Sequence, residues 1–270
     1  MGATIAVAML TSEHQVILYD VSSEILEIAS KRISAIFKKS VDLGKISEEL
    51  ANNVPEHIQY SLDVSQVANV DLIIEAVPES MKIKKEILEQ VDNLAPEETI
   101  LTTNTSSFSI NVLANATSRP HKFIGLHFFN PAHIMPLVEI IPCDESSQET
   151  ISDVRVLVNS IGKTPVESRD LPGFIVNRVA RPFYGEAFRL LAEDAASVEK
   201  IDTLMKSAGF PMGPFELIDL VGCDVNLAVT KSIYNSYFQD PRYRPHPIQN
   251  RMVESGRLGR KTRRGFYKYE

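Results

Sequence analysis

The chain has 270 residues, 44% hydrophobic and 23% charged, enough to fill two modest cores without disulfide or metal staples. A net charge of −7 and a pI near 5.5 exclude a general nucleic-acid surface and an anionic-membrane binder. Cys143 and Cys223 form no metal or redox motif, no apolar run is long enough to span a membrane, and the first residues do not read as a secretory signal; a cytoplasmic location is expected.

The chain opens Met1-Gly2-Ala3-Thr4-Ile5-Ala6, which has the form of the end of a G-x-G-x-x-G turn leading into a helix. Residues 14–20 are a short strand-like run ending in Asp20. In a dinucleotide-binding fold that position suits a carboxylate that accepts from the adenosine ribose hydroxyls and repels a 2′-phosphate. Residues 21–39 carry Ile25, Ile28, Ala29, Ile33, Ile36 and Phe37 on one helical face behind a Ser22/Ser23 cap. Residues 70–77 (VDLIIEAV) read as a strand buried on both faces, and 82–94 as an amphipathic helix. Further strands are expected over 99–103, 122–128 and 138–141. Strands alternating with helices predict an α/β Rossmann-type domain with a mainly parallel sheet. The composition changes near 163–172. Beyond it the pattern is helical, with a helix expected from Pro172 to Leu191 and another over 197–208, capped by Ser197 and ended by Gly209. The reading is thus a dinucleotide-binding domain over 1–168 and an all-α domain over 169–270.

The stretch HKFIGLHFFNPAHIMPLVEIIP, residues 121–142, is the richest in chemistry. His127 ends an apolar strand and Glu139 lies in the next one. Histidine has the proton affinity suited to acid–base work near neutral pH, and a carboxylate on its second ring nitrogen would fix the tautomer and stabilise the imidazolium. A core histidine bonded to an edge-strand glutamate has the same pattern, so these two residues alone leave both readings open.

Longer motifs decide between them. Gly125-Leu126-His127-Phe128-Phe129-Asn130-Pro131 with Leu137-Val138-Glu139-Ile140, Asn104-Thr105-Ser106-Ser107, Asp170-Leu171-Pro172-Gly173-Phe174-Ile175-Val176-Asn177-Arg178 and Gly209-Phe210-Pro211-Met212-Gly213-Pro214-Phe215-Glu216 resemble, in order and spacing, the L-3-hydroxyacyl-CoA dehydrogenases of the 3-hydroxybutyryl-CoA type. The closing Gly256-Arg257-Leu258-Gly259-Arg260-Lys261-Thr262 and Gly265-Phe266-Tyr267 fit the same family, with Arg263 standing where the family usually has glycine.

The resemblance implies hydride transfer between the C3 hydroxyl of a short-chain (S)-3-hydroxyacyl-CoA and NAD. It makes His127 the general base and Glu139 its orienting partner, with Asn130 helping to position the ring. Ser106 and Asn177 would hydrogen-bond the reacting oxygen and the thioester region of the substrate. Gly2, Asp20, Glu79, Lys84 and Asn104 would line the NAD site, and Lys39, in the basic group Lys38, Lys39 and Lys45, would touch CoA. A homodimer through the helical domain is implied. Relative to the family pattern, the first strand and the first two glycines have no counterpart in these residues. A gap is therefore expected between the strand near residue 14 and that over 70–77, along with weak NAD binding and a functional chain that continues ahead of Met1. A truncated, non-catalytic paralogue is the alternative reading.

Overall fold

The computed structural model describes residues 1–270, which divide into two units, Met1–Leu171 and Pro172–Glu270. In the first unit α1 (Gly2–Leu10) is followed by β1 (Val16–Tyr19), α2 (Ser23–Asp42), α3 (Glu48–His57), β2 (Ile58–Ser61), β3 (Leu72–Glu75) and α4 (Met81–Leu94). Then come β4 (Ile100–Thr103), α5 (Ile110–Ala114), β5 (Phe123–Phe128), β6 (Leu137–Pro142), α6 (Gln148–Ser160) and β7 (Thr164–Glu167). The strands form two sheets. β1 pairs in parallel with β2, while β3, β4, β5, β6 and β7 form a five-stranded sheet in that order. The runs at 14–20 and 70–77 therefore give strands of different sheets, with no ladder between them. Within the larger sheet β5 and β6 are antiparallel, whereas the other neighbouring pairs are parallel.

Helix α1 joins the two sheets through its side chains. It is apolar on every side, and residues one turn apart share a face. Ile5 and Met9 pack into the core of the larger sheet with Ile124, Leu126, Phe128, Val138 and Ile140. Ala6, Val7 and Leu10 pack instead with Ile33 and Phe37 of α2 and Val54 of α3, and Val16 of β1 touches both clusters. Each fully buried side chain of this kind contributes about 1.5–3 kcal/mol. Strand β5 is buried along its whole length. Gly125 makes this possible: a Cβ there would stand 2.7 Å from Ile110 Cδ1 and 3.0 Å from Ile141 Cβ.

The second unit contains α7 (Val176–Ala192), α8 (Val198–Ser207), α9 (Pro214–Val221), α10 (Cys223–Ser236) and α11 (Pro247–Glu254) around Phe188, Phe215, Ile218 and Cys223. Its first helix begins later than the expected Pro172, because Gly173 (φ +79°) and Phe174 (φ +46°) are left-handed and interrupt the helical path. Ser197 caps α8 as expected, accepting from Lys200 N. The end of the chain is held by two buried carboxylates. Asp219 accepts from the backbone N–H groups of Phe266 (3.0 Å) and Tyr267 (2.9 Å) and from the Tyr269 hydroxyl (2.9 Å). Asp202 accepts from Phe215 N and Glu216 N at the start of α9 and from the Tyr267 hydroxyl. Arg263 adopts φ +55°, a left-handed conformation that glycine would take without strain. No helix of either unit is long and apolar enough to cross a membrane.

Candidate active site

Within the five-stranded sheet, the carboxyl ends of the parallel strands β3, β4 and β5 carry Glu79, Asn104, Ser106 and His127. Ligands of open α/β sheets bind along that carboxyl edge. The antiparallel register of β5 and β6 sets His127 opposite Glu139, and the His127 Nδ1 to Glu139 Oε2 distance is 2.7 Å. His127 is 5% exposed and Glu139 is fully buried. A carboxylate so placed accepts from Nδ1–H and leaves Nε2 as the basic nitrogen of the neutral ring. The Phe129 ring packs on the imidazole, with centroids 4.6 Å apart. Asn130 lies exposed beyond it, followed by a cis bond to Pro131.

The loop after β4 is tied to both neighbouring strands. Asn104 donates its N–H to the Glu75 carbonyl of β3 (2.8 Å), and its side-chain oxygen accepts from Phe128 N of β5 (2.8 Å). Glu79 gathers the next three residues: Oε1 accepts from the Thr105 hydroxyl (2.6 Å), Ser106 N (3.2 Å) and the Ser107 hydroxyl (2.7 Å). Burial presses the Glu79 carboxyl upward, but these hydrogen bonds and the Lys84 charge outweigh it and hold it below the usual carboxylate range.

Lys84 does not line an open surface. It is 1% exposed, and its ammonium lies 2.9 and 3.0 Å from the two oxygens of Glu75 and 3.2 Å from Glu79 Oε2. Glu75 is also buried, accepting from Val77 N and the Thr103 hydroxyl. Lys84 therefore acts from behind Glu79, and Glu75 is a member of the site that the sequence reading missed. A glutamate inside VDLIIEAV, nine residues before a lysine in an amphipathic helix, was the available signal: a charge in a doubly buried strand demands a partner.

In the two-stranded sheet, Asp20 follows β1 and its Oδ1 accepts from Ser22 N (3.0 Å). Gly2 is the first residue of α1, whose start carries no side-chain cap, and a Cβ at Gly2 would touch only Leu18 at 3.8 Å. Uncapped N–H groups at a helix start suit a phosphate, and Asp20 suits ribose hydroxyls, so these residues fit a dinucleotide. Lys38, Lys39 and Lys45 are exposed at and just after the end of α2. Asn177 belongs to the second unit, as the second residue of α7, and is half-buried.

Known proteins match in the same two parts. Residues 1–171 match the 3-hydroxyacyl-CoA dehydrogenase NAD-binding domain, and residues 173–269 match the C-terminal domain of 3-hydroxyacyl-CoA dehydrogenase. A 3-hydroxyadipyl-CoA dehydrogenase of Escherichia coli is 44% identical over 99% of this chain, which spans only 56% of that longer protein. A 3-hydroxybutyryl-CoA dehydrogenase of Clostridioides difficile is 40% identical over all of this chain and 96% of its own length. The crystal structure of a (S)-3-hydroxybutyryl-CoA dehydrogenase from Ralstonia eutropha superposes with a TM-score of 0.94 at 38% identity, covering all of this chain and 95% of that one. The chain belongs to the 3-hydroxyacyl-CoA dehydrogenase family.

Proposed function

We propose that this protein oxidises the 3-hydroxyl of a short-chain (S)-3-hydroxyacyl-CoA with NAD and catalyses the reverse reduction. The observation that carries this reading is the buried His127–Glu139 pair, 2.7 Å apart, on the sheet edge that also bears the Ser106 loop. The names of the full-length relatives favour an enzyme over a non-catalytic paralogue. NAD, when bound, supplies the nicotinamide ring that accepts the hydride from C3. His127 takes the hydroxyl proton on Nε2, and Glu139 fixes the ring and balances the imidazolium charge that forms. Ser106 and Asn177 hydrogen-bond the substrate near its C3 oxygen and thioester. Glu79, set by Lys84 and Glu75, holds the Ser106 backbone, and Asn104 holds the same loop to β5.

Asp20 would take the adenosine ribose, and the start of α1 at Gly2 the pyrophosphate. Lys39 is a contact for CoA phosphates, supported by its exposure. A homodimer through the helical unit is supported by exposed Val179, Leu204, Leu220, Val225 and Phe238. A cytoplasmic setting is supported by the two free, buried thiols Cys143 and Cys223. Reduction of acetoacetyl-CoA with NADH and with NADPH tests the reading. Turnover with NADH well ahead of NADPH is expected; absence of turnover with either refutes it, and equal efficiency removes the role given to Asp20.

A further inference from the structure

The second unit buries a cation for which it provides no anion. Arg181 of α7 is 6% exposed. Its Nε donates to the Asn177 carbonyl (3.2 Å), its Nη1 donates to the Asn226 carbonyl and the Thr230 hydroxyl (3.0 Å each), and its guanidinium lies over the Tyr184 ring. All four partners are neutral. They satisfy donors without compensating the charge, and burial pushes the guanidinium down to about 10, so it remains charged at neutral pH. Four carboxylates of this unit are paired with other cations: Asp240 with Arg242, Asp224 with Lys261, Glu216 with Lys206 and Glu186 with Arg189.

The surroundings add donors. Arg181 lines a narrow cavity with Thr230, Arg242, Tyr243, His246 and Gln249, and no carboxylate lines it. Asn226, bonded to Arg181 through its carbonyl, has its side-chain oxygen engaged by Gln249 and leaves Nδ2 buried without a partner. A buried guanidinium beside an orphaned amide donor is a donor set for a carboxylate.

Arg181 also stands one helical turn beyond Asn177, on the same face of α7 and about 6 Å along its axis. In the dehydrogenase reading, on which this inference rests, Asn177 meets the substrate near C3. An acyl chain running along α7 from there brings its far end to Arg181. We infer that Arg181 receives the terminal carboxylate of a dicarboxylic 3-hydroxyacyl-CoA and sets the preference of the site for an acidic acyl chain. An alkyl chain of the same length would leave the guanidinium uncompensated, which is how a polar pocket rejects an apolar analogue.

The test compares 3-hydroxyadipyl-CoA with 3-hydroxyhexanoyl-CoA, equal in carbon count and differing in the terminal carboxylate, for the native protein and for Arg181→Gln and Arg181→Lys. The native protein is expected to favour the dicarboxylic substrate at least tenfold in kcat/KM, mainly through KM. Arg181→Gln should bring the ratio close to one, and Arg181→Lys should recover part of it. Because each variant is its own reference, a general loss of activity cancels in the ratio. The native ratio stands as a test even if a variant fails to fold. Equal kcat/KM for the two substrates in the native protein, or an unchanged ratio in folded Arg181→Gln, overturns the inference while turnover of 3-hydroxybutyryl-CoA leaves the dehydrogenase reading standing. Absence of turnover with all three substrates overturns both.

Discussion

Replacing Lys84 with methionine keeps a chain of similar length and removes the ammonium, both its charge and its hydrogen bonds to Glu75 and the Val77 carbonyl. In the native protein the ammonium lies 2.9 and 3.0 Å from Glu75, with side-chain exposures of 1% and 2%, so the variant leaves a carboxylate buried and uncompensated. Breaking a buried pair from one side costs about 3–5 kcal/mol. The second contact, to the 38% exposed Glu79, adds no more than about 1 kcal/mol after solvent screening. A loss of about 3–5 kcal/mol is a large part of the stability of a domain, about 5–15 kcal/mol. For a unit of this size it lowers the melting temperature by about 6–20 °C. Urea unfolding of Lys84→Met, Glu75→Gln and the double variant forms a cycle. The double variant should be more stable than the summed single losses, because the glutamine can still serve Val77 N and Thr103 while no charge is stranded. A loss below about 1 kcal/mol in Lys84→Met, or strict additivity in the cycle, would refute the account of the pair. The site offers a second readout. With Glu79 released from Lys84, the Ser106 loop loses an anchor, so KM for substrate should rise in whatever folded protein remains.

Three further outcomes are expected. His127→Gln should fold normally by circular dichroism yet lose about a hundredfold or more in turnover, the scale for a positioned acid–base group; near-native turnover would remove His127 from the chemistry. Arg263→Gly should stabilise the second unit by about 0.5–1 kcal/mol, relief of the left-handed strain at φ +55° exceeding the added chain entropy, and a lower melting temperature would contradict that. Burial, the hydrogen bond to Asp219 and the negative charge there push the Tyr269 hydroxyl up to about 12, above its unfolded value of about 10. Its contribution is therefore fully present below about pH 10 and lost as pH rises toward 12, and Tyr269→Phe should flatten the fall in thermal stability over that window.

What the sequence disclosed depended on whether a residue's partner was near in pattern. The His127–Glu139 pair was legible because β5 and β6 are adjacent antiparallel strands, twelve residues apart at that point, and both are continuous apolar runs. Strand β7, Thr-Pro-Val-Glu, has neither alternation nor an apolar run; it exists because it pairs with β6, a tertiary fact. Strand β2 was hidden by the helix that leads directly into it. Phe174 in a left-handed conformation delayed the start of α7 where Pro172 suggested a first turn. Glu75 was concealed inside a run whose other members are apolar, and its role emerged only when α4 brought Lys84 over it.

The carboxylate clamp of the second unit has a consequence for synthesis. Asp219 receives three of its donors from residues 47 to 50 positions further along the chain. At about 5–20 residues per second, α9 leaves the ribosome about 2–10 s before the residues that hydrogen-bond its buried carboxylate. During that interval Asp219 has neither Phe266, Tyr267 nor Tyr269 to bond, so α9 cannot settle against its final neighbours, and the emergence of residues 266–269 becomes the step that closes this unit.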